Sequence, residues 1–162
     1  MIYWINQIAN CRVGISGKPK GFDQLENDIS KLCSENINWI ISLLEDKEIE
    51  QYGLGEEEQL CNRYNIKFDR LAIQDNSIPG FQRFSDKIDH VLREIRNIEN
   101  LVIHCNHGLG RSGLFVAGLL IKSGINLESA LKIIAVKRGF SCPTSPSQLK
   151  LLKAYEAFLS RT

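Results

Sequence analysis

A chain of 162 residues with 43% hydrophobic and 24% charged side chains has the make-up of one soluble globular domain with a substantial core. Its 20 basic and 19 acidic residues leave a net charge of +1, which excludes a global field for nucleic acid or an anionic membrane and makes any anion binding local. No stretch reads as a bilayer span or an export leader, and the odd set of five cysteines lacks CxxC spacing; neither a disulfide framework nor a metal site is expected, and a reducing, cytoplasmic setting is.

In chain order, Ile2–Ile5 and Arg12–Ser16 are predicted as short strands, followed by the turn-rich SGKPKG stretch. Leu25, Ile29 and Leu32 recur at helical spacing. Ile37–Leu44 is an isoleucine-rich apolar run, the pattern of a parallel strand buried on both faces. Glu45–Tyr52 and Glu56–Tyr64 are predicted as short helices around the turn Gly53-Leu54-Gly55, and Lys67–Ile73 as a strand in which Phe68 and Leu71 cannot share a face. After the loop Gln74–Gly80, Phe81, Phe84, Ile88, Val91, Leu92 and Ile95 trace one face of a long amphipathic helix. A strand over Leu101–Cys105 and a helix from Ser112 come next. Gly124 is placed to end that helix, and Asn126 to cap a helix over Leu127–Lys137. Ser145-Pro146-Ser147-Gln148 has the form of a capping box, with proline at the first helical position of a last helix reaching about Leu159. Alternating strands and helices predict a single α/β domain over residues 1–162, with a mostly parallel central sheet, helices on both faces and functional loops at the strands' carboxyl ends.

The densest chemistry lies in LVIHCNHGLGRSG, residues 101–113. An apolar strand ends in His104-Cys105, and a glycine-bearing loop leads to Arg111-Ser112 at a helix start. Such a loop can wrap the backbone amides of Asn106, His107, Gly108, Leu109 and Gly110 around a tetrahedral anion on the positive end of a helix dipole. Held there, Cys105 is stabilised as a thiolate, below the free thiol's pKa of about 8.5. Arg111 offers a planar fork to two oxygens of the anion. Gly108 and Gly110 allow positive φ or close approach of the backbone. Ser112 can donate to the thiolate when it leaves, and His104 can hold the loop through its ring. A cysteine after a strand is ordinarily an inert core residue, and Gly-x-Gly ordinarily a turn; the conjunction of all these features points to a catalytic anion loop.

The stretch HCNHGLGRSG resembles the signature of the cysteine-based protein tyrosine and dual-specificity phosphatases: His-Cys, five residues, Arg, then Ser or Thr. INWIISLLEDKEIEQYGL, IQDNSIP and the final Pro-x-Gln extend the resemblance over roughly residues 12–148, most like the branch of the cyclin-dependent kinase-associated phosphatase (kinase inhibitor 3) and its bacterial relatives. The resemblance implies a dual-specificity phosphatase fold and cofactor-free, metal-independent hydrolysis of phosphomonoesters through a phospho-cysteine. The implied substrate is a phosphorylated protein or peptide carrying phosphotyrosine, with phosphoserine and phosphothreonine as further candidates. A monomer is expected, with neither nucleic acid nor membrane as partner.

Such a reaction needs an acid for the departing oxygen. Asp75 lies beyond a predicted strand on the same sheet edge as Cys105, and the resemblance puts the general acid there; Asp69, inside the strand, is a rival. Relatives often carry glycines after this Asp, where this chain has Asn76-Ser77. Gln148 is a candidate for orienting the hydrolytic water, as a glutamine does in larger tyrosine phosphatases, although the capping box explains it without chemistry. His90 reads as a solvated residue. Arg138 and Lys137 could add charge at the pocket mouth, and Cys33, Cys61 or Cys142 could trap an oxidised Cys105. Asn106 and Leu109 stand where phosphoinositide phosphatases tend to carry lysines. His107 gives the loop a likeness to RNA 5′-triphosphatases, which the neutral overall charge does not support. A phosphate-binding pseudo-enzyme would have lost Cys105 or Asp75, and a rhodanese-type sulfur transferase would need neither Asp75 nor the Arg-Ser pair.

Overall fold

The structure, a computed structural model, describes residues 1–162. Strands β1 (Ile2–Ile8) and β2 (Cys11–Ser16) form an antiparallel hairpin. Together with β3 (Trp39–Ser42), β4 (Lys67–Arg70) and β5 (Asn100–His104) they make one sheet in the order β1-β2-β5-β3-β4, parallel except for β1. Seven helices flank it: α1 (Leu25–Ser34), α2 (Asp46–Gln51), α3 (Glu57–Arg63), α4 (Phe81–Glu94), α5 (Gly110–Lys122), α6 (Leu127–Arg138) and α7 (Pro146–Ser160). This is the mostly parallel α/β architecture predicted.

The central strands are buried along their whole length because alternate side chains enter different layers. Leu101, Ile103, Trp39 and Ile41 join the larger cluster with Phe84, Phe115 and Tyr155, under α4 to α7. Val102 and Ile40 join the smaller one with Leu25, Ile29, Leu60 and Cys61, under α1 and α3. β4 ends at Arg70, three residues short of the predicted strand, and the two faces explain its pattern: Phe68 packs on the smaller cluster, Leu71 and Ile73 in the larger.

Register fixes where the functional loops gather. Ser16 and Ser42 are both partners of His104, so β2, β3 and β5 end level at one sheet edge. The helix after β5 starts at Gly110, two residues earlier than predicted, which puts Arg111 and Ser112 in its first turn. Its far end closes as the sequence implies: Ile125 N–H reaches the Leu120 carbonyl and Gly124 N–H the Ile121 carbonyl, with Gly124 at φ +112°. Asn126 then caps α6 through its Oδ1, which accepts from Ser129 N–H at 2.9 Å. α4 and α5 touch at Gly118, where a Cβ would lie 2.5 Å from the Phe84 ring and 2.9 Å from Ile88.

Gly118→Val should therefore overpack the helix contact and lower unfolding free energy by about 1–3 kcal/mol. Gly55→Ala, with no atom near its Cβ, should stay within about 0.5 kcal/mol. Urea unfolding midpoints of the two variants check both.

Candidate active site

Residues 105–109 form the loop between β5 and α5, and the carbonyls from His104 to Gly108 point outward to fixed donors. Leu43 N–H donates to His104 O at 2.9 Å, and Lys18 N–H to Asn106 O at 3.2 Å. Arg138, at the end of α6, donates from Nε to Gly108 O at 2.8 Å and from Nη2 to His107 O at 3.1 Å. Gly108 sits at φ +70°, and a Cβ there would lie 2.8 Å from the Ser16 carbonyl, so both conformation and space require glycine. With the carbonyls turned out, amides turn in. Those of Gly108, Leu109 and Ser112 converge on the Cys105 sulfur.

Cys105 is only 3% exposed. Burial pushes its thiol up, but the Ser112 hydroxyl and the amides of Ser112, Gly108 and Leu109 outweigh that and hold it below the ordinary thiol range. The Ser112 hydroxyl is buried, makes no hydrogen bond elsewhere in the protein, and favours the charged form of the Cys105 sulfur. Cys142 makes the contrast: it is buried in the same layer without such donors, and desolvation raises it to about 11. Cys33 and Cys61 belong to the opposite side of the sheet from Cys105.

Arg111, 1% exposed, is held rigidly. Its Nη1 donates to Glu48 Oε2 at 2.7 Å and to the Ile73 carbonyl at 2.9 Å, and its Nη2 to Glu48 Oε1 at 2.9 Å. Its Nε–H has no partner within the protein and is the donor left for an anion. Desolvation opposes the charge, and the Glu48 carboxylate more than restores it. Glu48 is itself lowered: burial works against its charge, and Arg111 and the Glu45 amide overcome it. Asp75 lies at the mouth, 61% exposed by side chain, with Oδ1 3.4 Å from Arg111 Nη2. Asn76 adopts φ +58°, the left-handed conformation glycine would take, so the departure from the glycines of relatives is absorbed by an asparagine.

Several expectations need correction. The capping box at Ser145 does not form: Ser145 Oγ bonds to Ser147 Oγ, and Gln148 turns away. The Gln148 amide is 1% exposed, lies against Gly110 and donates to the Ser77 carbonyl at 3.2 Å, bridging the Asp75 loop to the head of α5. Arg138 does not stand free at the mouth but ties down the loop. His90 is not simply solvated, because it meets Trp39 edge-on and lies 3.9 Å from Asp69. Asp69 is engaged by Trp39 Nε1 at 3.0 Å and Lys87 Nζ at 3.1 Å on the far edge strand, which removes it as a rival acid. His107 is exposed and meets the rest of the site through its backbone. Cys105, Arg111, Ser112 and Asp75 are brought together, with His104 directly behind.

Four supporting residues carry no signal in the local sequence: Glu48; Glu57, whose Oε1 lies 2.7 Å from His104 Nε2; Tyr52, whose hydroxyl accepts from Asn106 Nδ2 at 3.2 Å; and Lys18, whose ammonium sits 4.5 Å above the Tyr52 ring. Three of them come from the two short helices and the turn between them at Gly53.

A cysteine loop of this form at the carboxyl edge of such a sheet defines the class of cysteine-based tyrosine and dual-specificity phosphatases. A family model described as "Polymorphic toxin system, DSP-PTPase phosphatase" matches residues 13–125, and the chain belongs to that family. It is 30% identical over 131 residues to the PRL-1 phosphatase of Drosophila melanogaster, covering 79% of this chain and 68% of that one. It is 31% identical over 100 residues to an Arabidopsis thaliana protein named as a phosphatidylinositol 3,4,5-trisphosphate 3-phosphatase and protein-tyrosine-phosphatase, PTEN1, covering 58% of this chain and 24% of that one. The chain thus spans about a quarter of the length of that relative, and 35% of a probable 3-phosphatase of Saccharomyces cerevisiae, TEP1. Among solved structures, kinase associated phosphatase superposes with a TM-score of 0.88 at 22% identity, covering 100% of this chain and 97% of that one. PTPMT1 in complex with PI(5)P superposes with 0.76 at 22%, covering 98% and 97%. At these identities the structural matches establish the fold.

Glu48→Ala should leave Arg111 buried without its carboxylate and lower stability by about 3–5 kcal/mol. Urea unfolding at neutral pH tests this. The wild-type contribution should fade as acid protonates Glu48, because a carboxylate with a lowered folded pKa stabilises above its unfolded pKa and loses that effect as pH falls through the folded one.

Proposed function

We propose that the protein is a metal-independent phosphomonoester hydrolase acting on phosphoproteins, on phosphotyrosine first and on phosphoserine or phosphothreonine as its cleft allows. The observation that carries this reading is the Cys105 sulfur ringed by the loop amides and the Ser112 hydroxyl, beside a buried Arg111 with its Nε–H unengaged. In the first step the thiolate sulfur bonds to phosphorus, the ester P–O bond breaks, and Asp75 gives its proton to the leaving oxygen. Inward amides and the Arg111 Nε–H, which has no partner within the protein, stabilise the charge on the equatorial oxygens. In the second step a water oxygen attacks the phosphorus and Asp75 takes its proton. The P–S bond then breaks, inorganic phosphate forms, and Ser112 donates to the departing thiolate. Gln148, buried between the acid loop and Gly110, is positioned to orient that water. A soluble phosphoprotein fits the substrate better than a multiply charged lipid, because Asn106 and Leu109 bring no cation into the loop.

The purified protein should hydrolyse an aryl phosphate without metal, and Cys105→Ser should abolish turnover while still binding a phosphotyrosine peptide; hydrolysis surviving that substitution would refute the mechanism. Asp75→Asn should slow kcat by about 10²–10⁴-fold, most for poor leaving groups, and flatten the alkaline limb of the pH profile. A panel of phosphopeptides, phosphoinositides and 5′-triphosphate RNA, compared by kcat/KM, tests the substrate class; a preference for either of the last two would overturn it.

A further inference from the structure

Glu56-Glu57-Glu58 is a run of three like residues at the start of α3, yet only the middle one is buried. Glu57 is 2% exposed, while Glu56 and Glu58 stand in solvent. A buried carboxylate is costly unless a charge or strong donor meets it, and the group it meets is His104, also 2% exposed, with Nε2 2.7 Å from Oε1. The other ring nitrogen, Nδ1, lies 3.4 Å from the carbonyl of Cys105. Both ring nitrogens thus face acceptors, a geometry that suits only the doubly protonated ring.

We propose that Glu57 is a positioning residue for the nucleophile, acting through His104: it holds the imidazole doubly protonated, so that the ring clamps the Cys105 carbonyl and sets a positive charge behind the sulfur. This rests on the reading of Cys105 as the nucleophile. The surroundings supply no competing contact. Lys18 and Lys20 of the β2–α1 loop, Asp28 and Lys31 of α1 and Glu35 just beyond it line a cavity of about 410 Å³ behind the pair. None of these five makes an ion pair with His104 or Glu57. Burial alone would drive the ring neutral; the Glu57 carboxylate, with help from the Cys105 carbonyl and thiolate, holds it charged above the ordinary histidine range. Glu57 therefore contributes to the thiolate without touching it.

The test compares the pH dependence of Cys105 alkylation by iodoacetamide in the wild type, Glu57→Gln, Glu56→Gln and Glu58→Gln. Glu57→Gln keeps a hydrogen-bonding side chain but removes the charge, and should move the alkylation midpoint up by about 1 pH unit or more, while the two flanking variants stay at the wild-type midpoint. A folded Glu57→Gln with an unchanged midpoint, or flanking variants with the same shift, would overturn the proposal. Should Glu57→Gln fail to fold, nitrogen chemical shifts of the wild-type His104 ring decide it: both nitrogens protonated at about pH 7.5 is expected, and a neutral ring refutes it. Neither readout depends on turnover, so failure here is distinguishable from failure of the phosphatase reading, which Cys105→Ser decides.

Discussion

A loop can present several amides to one point only by turning the carbonyls between them the other way. Buried carbonyls need donors, so an anion cradle is as dependent on what stands outside it as on what points in. Here the outside is supplied by four unrelated parts of the chain: the residue after β3, the loop after β2, the end of α6 and, through the ring of His104, the start of α3. Arg138 alone holds two successive carbonyls. The glycine between them is fixed both by its φ and by the Ser16 carbonyl against which it rests. The inward amides exist because these contacts exist.

The sheet makes that convergence possible. β2, β3 and β5 end in register, so the residues just beyond them are neighbours although Ser16 and His104 are 88 positions apart. From that edge α2, the turn after it and α3 reach inward at the three points Glu48, Tyr52 and Glu57. The two short helices therefore support the site from outside, and α3 also gives Leu60 and Cys61 to the smaller core cluster. Gln148 does the same from α7, joining the Asp75 loop to the head of α5.

How much of this is legible in the sequence follows from the range of each interaction. The strand, the glycine loop and the helix that bears Arg111 are set by residues adjacent in the chain, and their pattern carries both fold class and chemistry. Asp75 is legible as well, because a loop beyond a parallel strand must open on the same edge. Glu48 and Glu57 are not: a glutamate on a short helix has the same local pattern whether it faces solvent or a buried cation, and only tertiary packing separates Glu57 from its two neighbours. The misread capping box has the same origin. Ser-Pro-Ser-Gln satisfies the local rule, but the half-buried Ser77 carbonyl competes for the Gln148 amide and wins.

The pairing of the buried charges has a consequence for how the pocket distinguishes one anion from another. Arg111 is matched by Glu48 and, once doubly protonated as proposed, His104 by Glu57, so each buried cation behind the loop is paired with a buried carboxylate. Attraction between this interior and an incoming anion then comes from the direction of N–H bonds rather than from net charge. Directional attraction acts over a few ångströms and is little screened by salt, unlike the field of an exposed basic patch. It also depends on shape: a tetrahedral oxyanion meets the converging donors together, whereas a planar carboxylate of equal charge would leave some of them unmet. Neutrality of its framework makes the loop a reader of geometry.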